Sequence, residues 1–69
     1  MKLESAIPFI NVRYVAVDCG ESRLFLDCND KRQRERLYRY ARWEVTSIQA
    51  SVKNTKGDLW PVLIIAVEP

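Results

Sequence analysis

The 69-residue chain contains no histidine. That absence removes the usual general base near neutral pH, the serine and cysteine triads that lean on an imidazole, and nearly every zinc site. Glycine is scarce as well. Two residues cannot build a dinucleotide-binding GxGxxG turn or a phosphate-cradling P-loop. Cys19 and Cys28 are the only cysteines, and without histidine they leave a metal centre short of soft ligands. No metal and no cofactor are expected. The longest apolar run, Leu59 to Val67, is nine residues, far short of the ~20 that a membrane-spanning helix needs. Glu4 and Pro8 interrupt the N-terminal stretch, so no signal peptide is expected and the chain reads as cytoplasmic, with no membrane partner.

What the chain does have is the balance of a folded protein. Hydrophobic residues make up 48% and charged residues 29%, enough to fill one core and too little chain for a second. Residues 1–69 are therefore expected to form a single small α+β domain.

Phe9 to Asp18 is rich in β-branched and aromatic residues, and the expected first strand runs from Pro8 to Asp18. Ser22 to Cys28 predicts a second. Gly20-Glu21 between them is the Gly-X pair of a two-residue hairpin turn. This register sets Val17 against Leu24, Val15 against Leu26 and Arg13 against Cys28. The cysteines then lie about six residues apart on the ladder, on the order of 20 Å, whereas a disulfide needs Cα atoms within about 7 Å. Two unbridged thiols are expected.

Asp30 with Gln33 suggests a helix N-cap. Lys31 to Trp43 holds no glycine, proline or β-branched residue, which predicts one continuous helix. On a wheel of 100° per residue, Leu37, Tyr40 and Ala41 share the inner side and Arg32, Arg36 and Arg39 the outer. Glu35 stands four residues from both Lys31 and Arg39, the spacing of a surface ion pair. Val45 to Val52 alternates, as a half-exposed edge strand does. Asn54 to Asp58 reads as a turn. Trp60 to Val67 is apolar on both faces and belongs in the middle of a sheet, with Pro61 at its beginning. The order ββαββ, with a right-handed crossover, gives one four-stranded mixed sheet of order 2-1-4-3 and one helix on one face.

One helix covers one face. The other is expected to carry Ile10, Val12, Tyr14, Ala16 and Phe25, an apolar surface that a second copy of the chain would cover. A homodimer through Tyr14, Phe25, Val12 and Ile10 is therefore expected. The alternative cover is the N-terminal Met1 to Ile7 folding back.

No residue set suggests catalysis. Asp18, Glu21, Asp27 and Asp30 spread along a hairpin instead of facing one another across a cleft, no serine has an imidazole beside it, and no lysine sits in an apolar context. The chain is not expected to be an enzyme. Charge distribution is more informative. Residues 31–43 hold six cations and one carboxylate, +5, while the other 56 residues hold five cations and eight carboxylates, −3. The expected partner-binding residues are Arg32, Arg36, Arg39 and Arg42 with Tyr38 and Trp43. Guanidinium forks and aromatic rings suit a protein interface. This points to a regulatory module that docks on a larger protein, an inhibitor or anti-activator of the size that phages and mobile elements carry. The alternative is a nucleic-acid binder that lays the same residues against phosphates.

Overall fold

A computed structural model describes all residues from Met1 to Pro69. Its centre is a four-stranded mixed sheet of order β2-β1-β4-β3. The strands are β1 (Tyr14–Asp18), β2 (Arg23–Asp27), β3 (Glu44–Thr55) and β4 (Asp58–Glu68). β1 lies parallel to β4 in the middle, and β1–β2 and β3–β4 are antiparallel hairpins. The α+β class, the strand order and the first hairpin's register all agree with expectation, Val17 facing Leu24 and Val15 facing Leu26. Gly20 turns that hairpin at φ 91°, a region glycine enters without steric cost. The second hairpin is tighter than the sequence suggests. Its loop is Lys56-Gly57 alone, both at positive φ (51° and 85°), which is the twist a two-residue loop needs.

Two elements depart from expectation. The first strand does not begin at Pro8, because Leu3–Ala6 forms a short helix, α1, continued as a 3-10 turn over Ile7–Phe9. Pro8 lacks an N–H and has φ near the helical value, so it fits the start of such a turn. The segment is tied down at its end by Leu3 N–H donating to Trp43 O (3.0 Å), Glu4 N–H to Ala41 O (2.8 Å) and Val45 N–H to Met1 O (2.8 Å). The basic segment is also not one regular helix. It is α-helical only over Lys31–Glu35, α2, and then tightens into a 3-10 helix over Arg36–Tyr40. At three residues per turn, Leu37 and Tyr40 line up on one side and Arg36 and Arg39 on another. Glu35 ends the α-helical part, so the four-residue spacing to Arg39 is lost, and Glu35 makes no ion pair.

Asp30 caps α2, its carboxylate accepting from Arg32 N–H at 3.0 Å. Gln33 does not complete the reciprocal box. Its Oε1 accepts instead from Asp27 N–H at 2.8 Å, which ties α2 to the end of β2.

Both helical segments lie on the same side of the sheet. Leu3, Ile7 and Leu37 from that layer meet Val15, Val17, Leu26 and Ile65 from the sheet, each 1% exposed or less. Ile10 belongs to this cluster, and Val12 packs against it. That corrects their expected place on the opposite face. The chain reaches strand geometry only at Tyr14, so the alternation extrapolated back from β1 does not apply to them.

Candidate partner-binding site

The helical layer brings most of the expected basic surface together. Leu37 is fully buried and acts as the peg. Around it Arg32, Arg36, Arg39 and Arg42 are all exposed, with Lys31 at the start of α2. None of these five cations takes part in an ion pair. Tyr38 stands among them with 58% of its surface in water. Trp43 has a different place. It is half-buried against the core and meets Tyr40 edge-on, ring centroids 5.0 Å apart, so it supports the surface from beneath.

Arg34 was not among the expected site residues, and it turns inward. Its guanidinium donates to Ile7 O at 3.2 Å, pinning α1 to α2. The same arginine lies beside the Cys28 thiol. Burial pushes that thiol above its ordinary pKa, and Arg34 only partly opposes the shift. A thiol held protonated is a poor nucleophile. Cys19 and Cys28 are both unbridged, as the hairpin register requires.

The opposite sheet face carries Tyr14 and Phe25, as expected, but it is not a bare apolar surface. Tyr14 is flanked by Phe25 at 6.0 Å and by Trp60, edge-on, at 5.8 Å. Lys53 folds its ammonium over Phe25 (4.2 Å) and Tyr14 (5.3 Å), and Arg13 lies over Tyr14 (5.0 Å) and Trp60 (5.4 Å). Such contacts let long cationic chains shield apolar surface while their heads stay wet. Ala16 and Val62 beneath them are 1% and 5% exposed. The expected large apolar surface is thus reduced to Phe25, 41% exposed, beside half-buried Tyr14, Trp60 and Ile64. Period-two alternation in β1 and β4 signals this face, but Lys53 and Arg13 as its cover have no local sequence signal.

Both arginines of the β1–β2 hairpin are matched to carboxylates. Arg13 holds Asp27 through Nε (3.2 Å) and Nη2 (3.1 Å), and Arg23 reaches Asp18 at 3.2 Å. Arg13 holds the Asp27 carboxyl below the usual carboxylate range. For Asp18 the Gly20 N–H is the larger cause and Arg23 the second. Glu44 is lowered in the same direction by the N-terminal ammonium first and then by Lys2.

The most exposed apolar side chains lie elsewhere. Phe9 is 83% exposed, Leu59 68%, Val52 66%, Met1 57% and Ile48 46%. Met1, Phe9 and Ile48, with Ala6, Ile10 and Leu63, line an open apolar groove of about 270 Å3 between α1 and the β3–β4 hairpin. No three His, Cys, Asp or Glu side chains gather as metal ligands would, and no helix is long and apolar enough to cross a membrane. No family model, curated protein or solved structure matches this chain.

Proposed function

We propose that the chain is a cytoplasmic, non-enzymatic binding module that docks on the acidic surface of a larger protein and thereby inhibits or regulates it. The observation that carries this reading is the set of five cations on residues 31–42 that are exposed and without carboxylate partners, arranged around Tyr38. Every other arginine of the chain is engaged, Arg13 and Arg23 with aspartates and Arg34 with a backbone carbonyl. Guanidinium groups fit carboxylates in bidentate pairs, and arginine and tyrosine are typical interface anchors. Attraction between such a surface and an acidic partner speeds encounter and excludes basic competitors.

A nucleic-acid reading draws on the same residues, since a phosphate offers the guanidinium a similar fork and exposed Tyr38 can stack on an unpaired base. The two readings separate on salt. Phosphate-backbone binding falls steeply as salt rises. Capture of a partner from a cell lysate, with wild type and with an Arg36→Ala/Arg39→Ala variant, tests the proposal. The variant is expected to lose the partner while keeping its circular dichroism. Competition by single-stranded DNA but not by polyglutamate would favour the nucleic-acid reading, and equal capture by the variant would refute both.

A further inference from the structure

β3 is an edge strand, and most of its outer edge is free. At one end Met1 and Lys2 lie alongside it, through Val45 N–H to Met1 O and the Lys2–Glu44 bridge. At the other end the chain turns at Lys56-Gly57. Between these stops runs Thr46 to Thr55. A two-residue hairpin closes on a pair that exchanges both backbone bonds, here Thr55–Asp58. Odd-numbered residues back to Ser47 therefore turn their N–H and C=O groups toward β4. Ile48, Ala50, Val52 and Asn54 present theirs outward. Pro61, which has no N–H to give, sits opposite Val52, a position that this alternation leaves unbonded to β4.

Free edges are normally blunted by proline, by charge or by a covering element. This stretch has no proline, and its single charge, Lys53, is folded back over Phe25 and Tyr14 of its own sheet. On the helix-side face the edge carries Ile48 and Val52 in water, 46% and 66% exposed, beside the apolar groove.

We propose that the β3 edge is the docking surface for a second copy of this chain, paired antiparallel about a two-fold axis through Ser51 to form a continuous eight-stranded sheet. The ends of the free edge select that register. It is the one that brings each copy's hairpin tip up to the other's Met1–Lys2 corner without overlap. Only registers that set outward-facing residues against outward-facing residues can form the ladder, and this one sets Ala50 against the second copy's Val52 and Ile48 against its Asn54. Ile48 and the second copy's Val52 become diagonal neighbours, so the two exposed apolar rows merge into one strip. Lys53 falls opposite Gln49, not opposite itself, which avoids like-charge repulsion across the ladder. At the ends, the tip carries Lys56 and Asp58, and the corner it meets carries the N-terminal ammonium and Lys2 sharing Glu44. Asp58 has no ion pair of its own, so each sign meets its opposite there. The free arginines lie on the helical segment and not on this sheet edge, so the pairing does not rest on their role.

The test is sedimentation velocity with native mass spectrometry on the full chain. Wild type is expected at twice its 8.1 kDa mass. Ser51 is exposed and faces its own copy at the axis, so Ser51→Lys and Ser51→Glu are each expected to run as monomers and to form a mixed dimer when combined. Hydrogen exchange on wild type adds a readout that needs no variant. The Ile48, Ala50 and Val52 amides are expected to gain protection as concentration rises. A wild-type monomer at all concentrations, a dimer that survives both Ser51 variants, or a dimer split by Phe25→Asp with those amides unprotected would each overturn the proposal.

Discussion

The chain keeps two populations of arginine, and they differ in what faces them. On the sheet, Arg13 and Arg23 each lie against an aspartate, and Arg13 also covers aromatic rings. On the helical layer, Arg32, Arg36, Arg39 and Arg42 are exposed and make no ion pair. The first population closes a face of the fold and the second leaves its hydrogen-bonding capacity unspent. A chain whose net charge is only +2 thus separates structural from available charge by position, which composition alone conceals.

Leu37 anchors the helical layer that carries the free arginines. Leu37→Ala is expected to cost about 3 kcal/mol, read as a lower urea midpoint, because it is fully buried among core residues of both layers. A loss below about 1 kcal/mol would mean that the segment is not docked as described. Arg34 is the one basic residue of the segment that behaves like the sheet population. Replacing it with alanine removes the bond to Ile7 O and is expected to cost about 1 kcal/mol, whereas Arg36→Ala should leave the midpoint unchanged.

Acid should act on the carboxylates that hold Arg13, Arg23 and the N-terminal corner, and not on the free arginines. Asp18, Asp27 and Glu44 have folded pKa values below their ordinary ones. Their contribution is complete above the usual carboxylate range, about pH 4, and fades as pH falls through the lowered values. Urea midpoints measured from pH 6 downward should therefore drop below about pH 4, and Asp27→Asn should flatten that drop. The smallest expected effect is the most telling. Arg36→Ala and Arg39→Ala, alone or together, should shift stability by less than about 0.5 kcal/mol. A larger change would put them with Arg13 and Arg23.

The sequence made some of this arrangement legible and hid the rest for physical reasons. Period-two alternation in β1, Gly20 at the turn and the apolar run of β4 are local signals. Together they specify the strand order and the first hairpin's register. The N-terminal helix had a signal too. Leu3, Ala6, Ile7 and Ile10 recur at helical spacing and are all buried, but the β-branched residues that follow and Pro8 point to an extended chain. The switch to 3-10 winding after Glu35 had no such signal, because good helix formers fill the segment throughout and tertiary contacts of Leu37 and Tyr40 decide its pitch. The arginine surface could be read from charge density. That Arg34 leaves it to bind Ile7 O, and that Lys53 crosses to cover Phe25, depend on contacts between residues far apart in the chain.

Whether the free arginines bind acidic protein is read most directly by fluorescence anisotropy at low and near-physiological salt, with labelled polyglutamate and with single- and double-stranded DNA and RNA. Wild type is compared with Arg36→Ala/Arg39→Ala and with Arg13→Ala/Arg23→Ala. Polyglutamate is expected to bind, the first pair of substitutions to abolish that binding and the second to leave it in place, with no nucleic-acid binding at near-physiological salt. Equal loss in both variants, or nucleic-acid binding that persists at that salt, would contradict that expectation.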